Sequence, residues 1–144
     1  EIRDAGAGTR LIGDGDVAGG INAARYNART DMCIGIGGSP EGVATACAIK
    51  ALGGHIQGRL WPRDDDEKQR GIDAGLKVDD TVYEADDLVK GKNTIFVATG
   101  VTNGELVAGV RRDGDFVLTE SVVLRGASGT LRRISSEHLT SKWL

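Results

Sequence analysis

The sequence has few aromatic residues, few cysteines and prolines, and no excess of positive charge. Aromatic side chains are only 4% of its 144 residues, so its core must be built from Val, Ile, Leu and Ala. Such small side chains suit helices that pack closely on a sheet. The net charge of −3 argues against a surface for nucleic acid or anionic membrane, which needs a basic field. No apolar run approaches the roughly 20 residues of a membrane helix.

Cysteine and histidine are too sparse to indicate a zinc site, which needs several such ligands together. Cys33 lies in a strand-like apolar run and Cys47 in a helix-like run. We expect both thiols to be buried in a reducing compartment, the cytoplasm, with a disulfide as the alternative. His55 and His138 are isolated in the sequence and are expected to be structural or exposed. The opening residues resemble the end of a helix, so we expect a chain cut from a longer protein.

Glycine is abundant, with 22 residues, about twice the usual share, which indicates many tight turns. Strands are predicted over residues 9–13, 32–36, 55–60, 94–99 (the clearest buried strand), 116–124 and 129–135. Helices are predicted over residues 17–28, 40–52 with Ser39 as N-cap, 62–75 and 85–91, with one or two turns over 103–110 and a short helix or frayed end over 135–144. This order predicts one α/β domain over residues 1–144. It would be a layered sandwich with a mixed, mostly parallel sheet flanked by helices, the late hairpin being antiparallel.

The first candidate site is the loop Asp14-Gly15-Asp16, between a predicted strand and its helix. Ligands of open α/β sheets bind where strands end and helices begin. Asp16 could be only an N-cap and Asp14 a turn former. Alternatively, the two carboxylates form a polar fork that accepts hydrogen bonds from sugar hydroxyls, which suits a polyol better than a phosphate.

The second candidate site is the glycine loop over residues 37–42, after the predicted strand 32–36. Glu41 could be a first-turn acid that only complements the helix dipole. Alternatively, the glycine backbone approaches a ligand and Glu41 binds a divalent cation such as Mg²⁺ or Mn²⁺, which prefer hard oxygen ligands. One carboxylate is too little for a tight site, so further ligands must come from elsewhere.

This loop does not match the dinucleotide-binding fingerprint. That motif needs a third glycine where this chain has Pro40, and an acid at the end of the next strand. The next predicted strand carries Gln57-Gly58-Arg59 instead. Nicotinamide binding is therefore not expected.

Other charged residues have simpler interpretations. The acidic run over residues 64–67 indicates a solvated helix start, and Asp86-Asp87 another cap. Arg125, Arg132 and Arg133 could contact either phosphate or another protein surface.

Five blocks of the sequence, in this order, resemble the C-terminal part of class II fructose-1,6-bisphosphatase, the bacterial GlpX-type enzyme. They read GDGDVAGGINAA, GIGGSPEGV, GRLWPRDDDE, FVATGVTNGEL and TESVVLRGASGTLRRI. The resemblance implies hydrolysis of the 1-phosphate of fructose 1,6-bisphosphate to fructose 6-phosphate, in gluconeogenesis, with Mg²⁺ or Mn²⁺. It also implies a cytoplasmic homo-oligomer with the layered fold of the sugar-phosphatase superfamily.

The resemblance further implies roles for individual residues. The family's substrate-contacting loop falls on Asp14, Gly15 and Asp16, its substrate-contacting glycine on Gly38, and one metal ligand on Glu41. The family's other metal ligands, its water-activating residue and its basic phosphate contacts lie in an N-terminal half that this sequence lacks. We therefore expect a part of an enzyme that is inactive alone. The competing hypothesis is a non-catalytic sugar-phosphate binding or assembly module.

Overall fold

The computed structural model describes residues 1–142. The helices are α1 (Asp16–Ala24), α2 (Ser39–Leu52), α3 (Asp65–Asp73) and α4 (Ala85–Leu88). The strands are β1 (Gln57–Gly58), β2 (Tyr83–Glu84), β3 (Ile95–Thr99), β4 (Arg111–Asp113), β5 (Phe116–Arg125) and β6 (Thr130–Leu139). Short 3₁₀ helices lie over Gly126–Ser128 and Thr140–Lys142. None of the helices in residues 1–142 is both long and apolar enough to cross a membrane.

Both sheets are antiparallel, so the prediction of a mostly parallel sheet is wrong although the α/β class is confirmed. β1 and β2 form a small ribbon, and the other strands form a four-stranded sheet. β6 pairs with β5 along its whole length. β3 and β4 both pair with β5 as well, at successive positions, and must therefore share its other edge. The chain leaves this edge after β3 and returns to it as β4.

The predicted parallel strands over residues 9–13 and 32–36 are wrong: neither segment forms a strand in the described part of the chain. Both segments contain apolar side chains, yet Leu11 is 91% exposed, Ile34 75% and Ile36 79%. A parallel strand needs hydrogen-bonded neighbours and cover on both faces. The described residues do not supply these, so the apolar pattern alone is not enough.

Five further predictions differ in part. The strand over residues 55–60 shrinks to β1, and α1 ends at Ala24 instead of residue 28. Residues 103–110 form an irregular loop instead of helical turns. The tail continues as β6 and a 3₁₀ turn, while residues 143–144 lie outside the described residues. β3 is less buried than predicted, because alternate side chains face solvent.

The capping signals in the sequence are mostly confirmed. Asp64 accepts a hydrogen bond from the backbone N–H of Glu67 (2.7 Å) and caps α3, and Gly75 follows that helix at φ +77°. Asp87 accepts one from the N–H of Glu84 (3.0 Å) at the start of α4. Gly53, at φ +73°, ends α2 as predicted. Acidic residues in these positions therefore stabilise the starts of their helices.

The core lies between the helices and one face of the larger sheet. Its buried members are Ile21, Ala48, Ala51, Leu106, Val122 and Leu124. The opposite face of the sheet is not covered by any described element, and Ile95 and Val97 are 62% and 58% exposed there. The sheet therefore buries only one of its two faces.

α1 and α2 lie side by side and run in the same direction. A Cβ on Gly20 would lie 2.7 Å from Thr45 Cγ2, and a Cβ on Gly54 would lie 3.0 Å from Ala24 Cβ. Thr45 is itself buried and donates its hydroxyl to the carbonyl of Glu41 (2.7 Å). Glycine in α1 thus permits the close approach of the two helices and places their N-termini at the same end.

We predict that Gly20→Ala lowers the free energy of unfolding, by up to about 2.5 kcal/mol. Alanine gains about 0.5–1 kcal/mol of helix propensity, but overpacking against the buried Thr45 costs about 1–3 kcal/mol. Gly42→Ala in α2 is the matched control, because a Cβ there meets nothing within 4 Å. That variant should raise the unfolding free energy by about 0.5–1 kcal/mol. Urea denaturation measures both, and a stabilised Gly20→Ala would contradict the close packing.

Candidate functional site

The turn Asp14-Gly15-Asp16 enters α1 through a left-handed glycine. Gly15 has φ +80°, precedes the helix as its N-cap, and its carbonyl accepts from the N–H of Gly19 (2.9 Å). Asp16 is the first residue of the helix, so the alternative that it is the N-cap is wrong. Its carboxylate instead reaches Gly37, where a Cβ would lie 3.0 Å from Oδ2. The first loop therefore contacts the second.

The second loop enters α2 through Gly38. The carbonyl of Gly38 accepts the first helical hydrogen bond, from Gly42 (3.0 Å), so Gly38 is the N-cap and Ser39 the first helical residue. The predicted N-cap is therefore wrong by one residue. Glu41 folds back over this turn, and a Cβ on Gly38 would collide with its Oε2. The glycine leaves the space that this carboxylate occupies.

Two acids thus converge on one turn. The carboxylates of Asp16 and Glu41 lie against neighbouring residues, Gly37 and Gly38, at the paired N-termini of α1 and α2. The partial positive charge of a helix N-terminus stabilises carboxylates there. Asp14 and Gly15 lie on the adjoining exposed turn. The five predicted site residues therefore share one end of the helix pair, with their oxygens open to solvent.

This cluster alone does not complete a metal site. Among residues 1–142, there is no group of three or more His, Cys, Asp or Glu side chains placed to hold a metal ion. Hard oxygen ligands from Glu41, and from a neighbouring acid, suit a divalent cation but would leave most of its coordination sphere to other groups. The geometry fits a site to which this chain contributes part of the ligands.

A loop that the sequence did not mark as functional supports this end of the molecule. Residues 101–110 leave the sheet between β3 and β4, and Val110 N–H donates to the carbonyl of Val101 (3.2 Å) to close the loop. Glu105 in this loop forms an ion pair with Arg10 and accepts a hydrogen bond from Asn22 Nδ2 (3.2 Å). The helical-turn prediction missed this because those contacts join residues far apart in the sequence.

Glu120 of β5 fixes the base of the loop. Its Oε2 accepts from the N–H of Ala108 (2.5 Å), and its Oε1 lies 3.3 Å from Nη1 of Arg133. Arg133 also donates to the carbonyl of Leu106 (2.7 Å). The backbone hydrogen bond from Ala108, and then Arg133, lower the pKa of the Glu120 carboxyl. Arg133 thus binds within the fold although its side chain is 37% exposed, and Arg125 and Arg132 are exposed as well.

The remaining candidates do not join the site. His55 is exposed, and His138 Nε2 lies 3.1 Å from the hydroxyl of Thr119 on β5. Both cysteines are free, and Cys33 is exposed, so its predicted burial is wrong. It lies in the segment whose predicted strand does not form. Cys47 is half-buried in α2.

Comparison with known proteins gives the family. A sequence profile described as bacterial fructose-1,6-bisphosphatase, glpX-encoded, matches residues 1–138. The chain belongs to this family. It is 43% identical to the fructose-1,6-bisphosphatase class 2 of Haemophilus influenzae, over 96% of this chain and 45% of that protein.

Two cyanobacterial relatives carry a double name. The chain is 38% and 35% identical to the D-fructose 1,6-bisphosphatase class 2/sedoheptulose 1,7-bisphosphatase of Trichodesmium erythraeum and of a Synechococcus species. In both, the match covers 96% of this chain and 44% of the relative. The chain therefore spans less than half the length of the curated relatives it matches.

We predict that the chemical shift of the Ala108 amide proton follows the titration of the Glu120 carboxyl. Its midpoint should lie below the ordinary carboxyl pKa of 4.5. A lowered folded-state pKa contributes stability above the unfolded pKa, which is lost as the pH falls through the folded pKa. The loop should therefore loosen only in acid. A pH series of ¹H–¹⁵N spectra measures the midpoint. Glu120→Gln is the control and should abolish the titration, and a midpoint at or above 4.5 would contradict the assignment.

Proposed function

We propose that this chain forms the C-terminal portion of a metal-dependent class II fructose-1,6-bisphosphatase. The whole enzyme would hydrolyse fructose 1,6-bisphosphate to fructose 6-phosphate and phosphate, a step of gluconeogenesis in the cytoplasm. The observation that carries the proposal is the convergence of Asp16 and Glu41 on Gly37 and Gly38. Family membership supports the reaction class.

Glu41 would supply one ligand to Mg²⁺ or Mn²⁺. Its carboxylate is an oxygen ligand of the kind both ions prefer, and the missing side chain of Gly38 leaves it room. Asp16 lies against the same turn, so its negative charge would help to balance the charge of the ion. When bound, the metal would neutralise developing charge on the transferred phosphoryl group. The turn of Glu41 thus defines the metal side of the site.

The turn Asp14-Gly15-Asp16 would hold the sugar. Carboxylates accept hydrogen bonds from hydroxyl groups, and two of them disfavour a phosphate at the same place. Gly38, without a side chain, would let its backbone approach the substrate. Because two relatives carry both names, fructose 1,6-bisphosphate and sedoheptulose 1,7-bisphosphate are both candidate substrates.

The remaining metal ligands and phosphate contacts would come from the rest of a longer protein. The segments 9–13 and 32–36 form no helix or strand, and they expose apolar side chains. They contact α1, because a Cβ on Gly19 would lie 2.9 Å from Ile12 Cδ1 and 3.4 Å from Cys33 Sγ. Unpaired extended backbone is a template for strand addition. These segments would therefore pair with strands of that remaining part. Homo-oligomerisation of the complete enzyme stays a prediction.

A non-catalytic sugar-phosphate binding or assembly module is the competing function. The observation that favours it is the incomplete set of metal-ligating side chains within residues 1–142. Such a module would bind fructose phosphates without any turnover, even within a longer protein that contains this chain, here called the longer gene product. Turnover by the longer gene product would decide for the enzyme.

We predict that the purified 144-residue chain has no turnover of fructose 1,6-bisphosphate with Mg²⁺ or Mn²⁺. Phosphoryl transfer needs several groups that orient water and neutralise charge, and one Glu with two Asp cannot supply them. Phosphate release measured with and without EDTA tests this. The longer gene product, assayed in parallel, is the positive control. Metal-dependent turnover by the chain alone would refute the partial-site proposal.

We predict that Glu41→Gln and Gly38→Ala both raise the Mn²⁺ concentration needed for half-maximal activity of the longer gene product. Glu41→Gln removes the ligand charge, whereas the alanine Cβ displaces the carboxylate from its position. Losing a group that orients a ligand typically costs about 10–100-fold in metal affinity, so Gly38→Ala should fall in that range. Glu41→Gln should cost at least as much.

Gly42→Ala serves as the matched control for both variants, because it adds a methyl group in the same helix without meeting any atom within 4 Å. It should leave the Mn²⁺ dependence unchanged. An unchanged Mn²⁺ dependence in Glu41→Gln would mean that Glu41 is not a metal ligand and only complements the helix dipole as a first-turn acid.

A further inference from the structure

We propose that Glu105 is a positioning residue for the Asp14-Gly15-Asp16 turn and that the loop over residues 101–110 holds Glu105 in place beside this turn. This inference rests on the proposed function, because the turn matters only if it binds the sugar. Glu105 pairs with Arg10, four residues before Asp14, and accepts from Asn22, six residues after Asp16. A single side chain therefore links the two flanks of the turn.

The loop that carries Glu105 is fixed to the fold by core packing and by hydrogen bonds. Leu106, next to Glu105, is 4% exposed and belongs to the core. Gly109 N–H donates to Asn103 Oδ1 (2.9 Å), and Gly104 N–H donates to the carbonyl of Val107 (3.1 Å). Glu120 and Arg133 hold the other side of the loop, as described above. Glu105 therefore projects from a fixed base.

Two glycines allow this construction. The Cβ that a larger residue would place at Gly100 would collide with the carbonyl of Ala108, and one at Gly109 would collide with the backbone of Thr102 and Asn103. The two ends of the loop therefore pack backbone against backbone. A loop of this density suits a positioning role better than a flexible connection between β3 and β4.

The turn itself needs an external constraint. Residues 7–12 form no helix or strand in the described chain. Gly15 is left-handed here but, as a glycine, can adopt many other backbone conformations. The Arg10 and Glu105 side chains are 70% and 50% exposed, so their ion pair adds little to stability. Its effect would instead be to restrict where the two carboxylates of the turn lie, and hence how well they fit the sugar hydroxyls.

The first test measures the turn directly, in the 144-residue chain. The backbone ¹⁵N order parameters of residues 10–16 should lie near about 0.85 and fall toward about 0.6 in Glu105→Ala. Glu137→Ala is the matched control, because it removes an exposed glutamate from β6 and should leave those values unchanged. Order parameters that stay at wild-type values in Glu105→Ala would overturn the proposal.

The second test uses the longer gene product. Glu105→Ala should raise KM for fructose 1,6-bisphosphate about tenfold, with kcat changed less than about twofold, because Glu105 acts on the turn that would bind the sugar. A general loss of folding would lower kcat and the amount of soluble protein. The charge-swapped double variant Arg10→Glu with Glu105→Arg should bring KM most of the way back to the wild-type value, whereas each single variant should keep a raised KM.

The two tests separate the possible failures. An unchanged KM in Glu105→Ala, or a swapped pair no better than its single variants, would overturn the positioning role. A longer gene product without bisphosphatase activity would overturn the proposed function and the role of Glu105 in substrate binding with it. In that case the order parameters would still decide whether Glu105 restrains the turn.

Discussion

The close parallel packing of α1 and α2 is the constraint on which the candidate site depends. Gly20 has no side chain at the point where Thr45 crosses, so the two helices approach until their N-termini lie together. Each helix begins with a glycine N-cap and an acid in its first turn. Because the helices run in the same direction, Asp16 and Glu41 meet at one turn instead of lying at opposite ends of the fold.

Helix capping also explains why these acids are available to a ligand. At α3 and α4, the carboxylates of Asp64 and Asp87 accept hydrogen bonds from backbone N–H groups at the start of their own helix. At α1 and α2, the capping positions are held by Gly15 and Gly38, which have no side chain to accept such a bond. The acids that follow are stabilised by the helix dipoles while their oxygens stay open. Acidic residues thus cap the helix start at α3 and α4, whereas at α1 and α2 they face the candidate site.

The sequence predicted the elements whose signals are local, and missed those that depend on distant partners. The start and end of α2, the cap of α3 and the β5–β6 hairpin each follow from a few adjacent residues, and they form close to where they were predicted. The grouping of the site residues followed from the order of loops along the chain, together with family resemblance. The Glu105 contacts with Arg10 and Asn22 had no local signal, because their geometry exists only after the core around Leu106 is formed.

The failed strand predictions carry information of their own. Apolar residues such as Leu11, Ile34 and Ile36 form patterns that suit burial in a sheet, yet they lie exposed in segments that form no strand. Exposure of this much aliphatic surface costs free energy at about 25 cal/mol for each Å² left in water. A family whose members are more than twice as long as this chain offers a reason for the pattern, since their additional residues could cover these segments. The candidate site and the exposed segments would then have one cause, because both would lie where this chain meets those additional residues.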